Sequence, residues 1–248
     1  MDWIAVDRGA RLRLWKMNGT TVLGRADAPR PETREALLAA LPERSGPVVV
    51  AGAADLWDLW SPLPAAVPAP VLRDGLHLLP GLRQDRPLPD AVNGAMAPIA
   101  GLLAVHPQFD GTLVVAGERT VWASLSAGEV TDTRSTLTGR LFDALATGGT
   151  VDERAFAAAL PATLSRPETL AAQLAVPGRD DAHLAAALIG AELAATKAWW
   201  LGRSVLVTGE GALPDLLVRA LSAQGVSARA VPEEELWLAG LRPRPISA

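Results

Sequence analysis

A chain of 248 residues has room for one large domain or two of ordinary size. Its net charge of −4 gives no bulk attraction for nucleic acid or an anionic membrane, and the lack of cysteine excludes disulfides and thiolate metal sites. No stretch approaches the ~18 apolar residues of a membrane span, and no basic-then-apolar leader pattern opens the chain, so a cytoplasmic protein is expected.

Residues 4–15 read Ile-Ala-Val-Asp-Arg-Gly-Ala-Arg-Leu-Arg-Leu-Trp. An apolar run ends in Asp7, the chain turns at Gly9, and an alternating run follows. This predicts a β-hairpin with a carboxylate at its mouth and with Leu12, Leu14 and Met17 on one face. Asn18-Gly19 marks a turn, and residues 21–23 form a third strand. Pro29 and Pro31 interrupt regular structure, and residues 32–41 carry helical spacing at Ala36, Leu37, Ala40 and Leu41. Residues 47–52 are a buried strand ending in glycine. Strand, helix and strand in succession indicate α/β architecture. Pro62, Pro64, Pro68 and Pro70 make residues 61–70 an extended, stiff segment. A short strand at 76–81, a loop at 85–89 and a helix at 95–105, broken at Pro98, complete the first half.

The second half opens with an echo of the first. Leu113-Val-Val-Ala-Gly117 leads to a bend and a strand bearing Trp122, then a turn at Ala127-Gly128. Two hairpins, each with a bend glycine and a tryptophan in its second strand, indicate a duplication, with domains at 1–108 and 109–248. A polar strand follows at 129–136, then helices at 139–146, 152–160 and 168–174. Residues 180–201, almost all Ala and Leu, are the longest predicted helix, capped by Asp180 or Asp181. A strand at 204–208, a helix at 213–223 ended by Gly225, an edge strand at 228–231 and a helix at 233–240 precede a loose tail from Pro243.

Each candidate feature has a chemical and a plain reading. Asp7 either orients a phosphate-bound metal or caps its turn. Gly9 and Gly117 either admit phosphate oxygens to the backbone or simply turn the chain. Thr208-Gly-Glu-Gly-Ala-Leu213 joins a strand to a helix N-terminus that can take a phosphate or adenosine, without a P-loop lysine. Arg8 and Arg11 either clamp phosphate or face solvent, and Arg13 is assigned to a solvated face. Trp57, Trp60, Trp199 and Trp200 are read as core or interface, with sugar stacking the lesser alternative. His77, His106 and His183 have no carboxylate at metal-ligand spacing.

An ordered series of motifs resembles the 2-dehydro-3-deoxygalactonokinase family, sugar-acid kinases of the actin-like fold. Ile4-Ala-Val-Asp7-x-Gly9 with Leu12-Arg13-x-Trp15 resembles the family's Asp-Trp-Gly-Ser-Thr-Asn-Leu-Arg-x-Trp. Val48 to Gly52 resembles Val-Val-Met-Ala-Gly, and Leu78-Leu-Pro80-Gly81 resembles Ile-Pro-Gly. Gly117 and Trp122 lie where the family has Pro-Gly-Thr-His-x-Lys-Trp. Leu137-Thr138-Gly139-x-Leu141 resembles Met-Thr-Gly-Glu-Leu, and Leu188-Ile-Gly-Ala-Glu192-Leu nearly repeats the family's helix motif. Departures fall on polar turn residues. The family's Arg-Gly-Glu-Glu is Asn93-Gly94-Ala95-Met96, its Thr-His-x-Lys positions hold Glu118, Arg119 and Val121, and its motif glutamate is Arg140.

The resemblance implies an α/β actin-like ATPase or sugar-kinase fold of two domains around a cleft. It implies ATP-dependent phosphorylation of a 2-keto-3-deoxy sugar acid. Asp7 would orient Mg²⁺, the Gly9 and Gly117 turns would meet phosphates, and Gly209 and Gly211 would border adenosine. Arg8, Arg11 and Arg119 would be replacement cations. The family's carboxylate positions, Ala95 and Met96, cannot supply a base. The alternative is a catalytically silent homologue that binds a sugar acid or a protein partner. A third reading has Trp57, Trp60 and Trp199 forming a homo-oligomer interface.

Overall fold

The computed structural model describes residues 1–43 and 46–243; the tail expected to be loose lies, beyond Pro243, outside the described residues. The chain opens on a meander of β1 (Asp2–Arg8), β2 (Leu12–Asn18) and β3 (Thr21–Ala28). Gly9, Ala10 and Arg11 make the first bend, and Asp7 pairs across it with Arg13. Met17 pairs with Trp3, which corrects one expectation: it lies on the face opposite Leu12 and Leu14. The two-residue period of a strand puts positions 13, 15 and 17 together. Both faces are covered, so Trp15 and Met17 are buried as deeply as the leucines. β3 runs five residues beyond the predicted Leu23, because an edge strand needs only backbone partners and carries little apolar signal.

After the meander come α1 (Arg34–Ala40), β4 (Val48–Ala51) and α2 (Ala54–Trp57). The Thr33 hydroxyl caps α1 by accepting the Ala36 N–H at 3.1 Å, and Leu37 is the residue α1 buries. The proline-bearing segment supplies the short strands β5 (Trp60–Pro62) and β6 (Ala65–Ala66). β7 (Val71–Arg73), β8 (Leu76–Leu78), β9 (Gly81–Gln84), β10 (Asp90–Val92) and α3 (Met96–Val105) follow. Pro98 does not break α3: it sits in the first turn, where an N–H has no intrahelical acceptor. The first sheet runs β3-β2-β1-β4-β8-β7, with β4 parallel to both β1 and β8.

The second meander is β11 (Gly111–Ala116), β12 (Thr120–Ser126) and β13 (Glu129–Thr136). Ala127 and Gly128 turn β12 into β13 at φ +52° and +80°, as the twist of a two-residue hairpin loop requires. Helices α4 (Thr138–Leu145), α5 (Glu153–Ser165), α6 (Leu170–Leu174), α7 (Asp181–Ala195) and α8 (Lys197–Trp200) follow. The single helix predicted for 180–201 is thus two. Thr196 donates its hydroxyl to the Glu192 carbonyl at 2.8 Å, and Trp200 Nε1 donates to the Leu193 carbonyl at 2.8 Å. Those side chains satisfy the last carbonyls of α7 and allow it to end. The chain closes with β14 (Val205–Gly209), α9 (Leu213–Ala223), β15 (Ala228–Ala230) and α10 (Glu233–Leu241).

The second sheet runs β15-β14-β11-β12-β13, with β6 added beyond β13. Strand order repeats that of the first sheet: a meander whose first strand lies parallel to the strand after the helical excursion. Two compact units result. One holds residues from Met1 to Phe109, Leu125 to Thr133 and Pro232 onward; the other holds Asp110 to Ser124 and Arg134 to Val231. This division departs from the expected 1–108 and 109–248 because α10 returns to α3 and the start of β13 pairs with β6. A Cβ at Gly240 would meet the Ala97 carbonyl and one at Gly101 the Leu236 carbonyl, so the two backbones touch. The first unit's core joins Ile4, Val6, Leu12, Val48, Val50 and Leu78. The second's joins Trp122, Phe156, Ile189, Leu193, Trp199 and Val207.

Candidate functional site

Side chains of the first unit converge at the bend between β1 and β2. Asp7 ends a buried apolar run and is 1% exposed. Arg13 donates to its Oδ2 from Nη2 at 2.8 Å and Nε at 3.3 Å, and donates from Nη1 to Glu233 Oε1 at 2.6 Å. The guanidinium lies between the rings of Trp15 and Trp237, 5.5 and 5.0 Å from their centroids. Burial works against its charge, but Asp7 and Glu233 outweigh burial and hold its pKa above the ordinary arginine value. The solvated face expected for Arg13 is therefore overturned, because α10 covers that side of the hairpin. Arg25 binds Glu234 with two donors and Trp15 Nε1 donates to the same carboxylate, which ties the start of α10 to the meander.

Arg8, read as a possible phosphate cation, has a side chain that is 0% exposed. Its donors go to the Pro31 and Gly52 carbonyls, to both oxygens of Asp55 at 2.9 and 3.1 Å, and to Glu32 at 3.3 Å. A guanidinium with those directions taken has no fork left for a phosphate. Arg11 stands exposed at the bend and pairs with Asp27 at 3.1 Å. Gly94 abuts Gly9: a Cβ on Gly94 would lie 3.6 Å from Gly9 Cα. Ala95 and Met96 are buried at the start of α3.

Asp55 was missed in the sequence. It opens α2, has a 40% exposed side chain, and accepts from Asn93 Nδ2 at 2.8 Å. Asn93 Oδ1 accepts the Ala54 N–H at 3.0 Å, and Arg30 Nη2 lies 3.8 Å from Asp55 Oδ2. The signal present in the sequence was a carboxylate three residues beyond the glycine that ends a parallel strand, where α/β folds place their ligands.

The second unit gathers backbone rather than side chains. β11 and β14 are parallel, and Ala116 pairs with Gly209 at their carboxyl ends. Gly209 has φ +144°, and a Cβ there would lie 2.1 Å from the Ala116 carbonyl oxygen. Gly117, Glu118 and Arg119 form the bend after β11, and Gly211, at φ +76°, completes the turn into α9. No side chain caps the α9 N-terminus, so its first N–H groups are left to other acceptors. The bend rests on α4. A Cβ on Gly139 would lie 2.0 Å from the Gly117 carbonyl oxygen, and Arg140 N–H donates to the Glu118 carbonyl at 2.9 Å. Glu118 and Arg140 also pair through their side chains at 3.3 Å, both well exposed, and Arg119 is exposed.

Behind this bend, Trp122 Nε1 donates to Glu192 Oε1 at 2.6 Å in the core. Burial raises the Glu192 pKa, against hydrogen bonds from Thr138, Trp122 and Thr136 that lower it. Trp57, Trp199 and Trp200 are core residues; Trp57 Nε1 donates to Asp74 at 2.8 Å, and Arg83 lies over Trp60. Among the described residues no His, Asp or Glu cluster suits a metal ion, and no helix is long and apolar enough to cross a membrane.

Residues 10–243 match the family described as 2-keto-3-deoxy-galactonokinase. The crystal structure of a candidate 2-dehydro-3-deoxygalactonokinase from Sinorhizobium meliloti matches with a TM-score of 0.78 and 26% identity, over 96% of this chain and 94% of that one. The activator of 2-hydroxyisocaproyl-CoA dehydratase from Clostridium difficile, solved with ADPNP bound, matches with a TM-score of 0.53 and 13% identity, over 97% and 91% of the two chains. No curated protein matches the chain. With the repeated strand order, these likenesses give the fold: α/β, of the actin-like ATPase and sugar-kinase class.

Proposed function

The chain belongs to the 2-keto-3-deoxy-galactonokinase family, and from that premise we propose that it transfers the γ-phosphoryl group of ATP to a hydroxyl of a 2-keto-3-deoxy sugar acid. The observation that carries this reading is the glycine-lined turn at the carboxyl ends of β11 and β14, where parallel strands of α/β folds receive ligands. Gly209 and Gly211 would border the adenosine there, beside a start of α9 that no side chain caps. Gly117 offers backbone to phosphate, and Arg119 is the nearby cation by sequence.

In the first unit, Asp7 would hold Mg²⁺, with Gly9 and Arg11 toward phosphate. One carboxylate suffices for an ion that keeps several waters and takes its other oxygens from phosphate. Asp7 fits that task, since Arg13 fixes its orientation and Gly9 puts no Cβ beside its Oδ2, where one would lie 3.1 Å away. Bound Mg²⁺ would neutralise charge on the transferring group; positioning is left to the protein. An ATP-using kinase of small acids is assigned to the cytoplasm.

One observation favours a second reading, a silent sugar-acid binder. Glu118 keeps an exposed carboxylate at the very bend where phosphate is proposed. Melting scans with Mg·ATP and with 2-keto-3-deoxygalactonate, alongside a coupled assay of ADP release, separate the two. A ligand at 100 times its Kd stabilises by about 2.7 kcal/mol. The kinase reading requires a shift with each ligand and ADP release with both. A shift with the sugar acid alone rejects it for the binder.

A further inference from the structure

The kinase reading needs a group to accept the hydroxyl proton, and Ala95 and Met96 are apolar and buried. The carboxylates near the first bend differ in availability. Asp7 is bound by Arg13 and is assigned above to Mg²⁺, Asp27 pairs with Arg11, and Glu32, 73% exposed, pairs with both Arg8 and Arg30. Asp55 combines exposure with a fixed orientation. Asn93 binds the backbone of α2 through its oxygen and Asp55 through its nitrogen, so it holds the carboxylate from the bend before α3. Charge balance for buried Arg8 explains one set of bonds to Asp55; it does not require Asn93.

We propose that Asp55 is the proton acceptor for the sugar-acid hydroxyl, an inference that rests on the kinase reading above. As the hydroxyl oxygen bonds to the γ-phosphorus, the bond from that phosphorus to the β–γ bridging oxygen breaks. ADP leaves with the electron pair, and Asp55 takes the hydroxyl proton and returns it to solvent through its exposed side. Donors from Arg8 and Asn93 hold the Asp55 carboxylate in place. That suits phosphoryl transfer, where a kinase aspartate serves mainly to orient the hydroxyl and receives its proton.

Asp55→Asn keeps the size and one acceptor while removing the base. Its kcat should fall ~10²–10⁴-fold, while binding of 2-keto-3-deoxygalactonate alone, by calorimetry, stays within about threefold of wild type. Asp55→Glu preserves the charge that Arg8 needs and shifts the carboxylate by one methylene. It should melt like wild type and still lose at least about tenfold in kcat. A folded Asn or Glu variant with wild-type kcat overturns the proposal. So does a parallel loss of melting temperature, sugar-acid binding and turnover in both variants, which would make Asp55 only the partner of Arg8. If wild-type protein releases no ADP with any sugar acid offered, the kinase reading itself fails and takes Asp55 with it.

Discussion

The two bends share a plan and differ in what holds them. In each half, a meander strand ends beside a parallel strand whose final turn is a glycine. That glycine presses on the meander strand's last carbonyl: Gly52 on Arg8, Gly209 on Ala116. Around this shared backbone frame, the first bend is held by charge. Asp7, Arg13 and Glu233 form a chain of ion pairs, and Arg8 spends its donors on four neighbours. The second bend is held by backbone contact with α4 and by the buried Trp122–Glu192 hydrogen bond behind it. Duplicated frames constrain glycines and strand order; they leave the surrounding side chains to diverge.

The largest expected effect tests the charged half. Arg13→Leu removes the cation from a sealed carboxylate and should destabilise by about 3 kcal/mol in urea unfolding. The matching change at the second bend, Arg140→Leu, breaks a pair whose side chains are 65% and 48% exposed, and should change stability by less than about 1 kcal/mol. Equal effects would erase the contrast. Next come the shared glycines. Ala at 52 or 209 would put a Cβ within 2.3 or 2.1 Å of a backbone oxygen, so each should lose about 2–3 kcal/mol. A tolerated alanine at one site alone would show that the two frames are not equivalent.

Glu192 sharpens the second half of the comparison through pH. Its folded pKa is raised by burial, so the folded state binds a proton that the unfolded chain has released. Its contribution is complete below the ordinary carboxylate pKa and is lost as pH rises through the folded value. Stability should therefore fall by up to ~1.4 kcal/mol per pH unit in that window. Glu192→Gln, which keeps an acceptor for Trp122, should remove that part of the slope. An unchanged slope would locate it elsewhere.

Much of this frame was legible because it rests on local rules. The glycine bends, the Ala127-Gly128 turn and the span of α9 all follow from residue type and spacing. What stayed hidden depends on contacts distant in sequence. Arg13 looks solvated until α10, more than 200 residues later, covers it. Arg8 looks like a free cation until Pro31, Gly52 and Asp55 fold around it. Asp55 carries no motif, and its bond to Asn93 links it to the bend before α3. The break before α8 was missed for a different reason: a helix of Ala and Leu has no local stop signal, and the side chains of Thr196 and Trp200 supply one.

The smallest effect addresses the bend on which the two functional readings part. Glu118 is exposed and pairs with Arg140, so Glu118→Gln should leave the fold within about 0.5 kcal/mol of wild type. Ligand binding should respond more. An exposed charge within several ångströms of a phosphate is worth at most about 1 kcal/mol in water. Removing the carboxylate should then tighten Mg·ATP about threefold in calorimetry, an effect that shrinks as salt rises. Sugar-acid affinity, assigned to the first unit's side chains, should not change. An Mg·ATP affinity indifferent to both Glu118 and salt would mean that phosphate does not approach Gly117, and the backbone frame of the second bend would be structural alone.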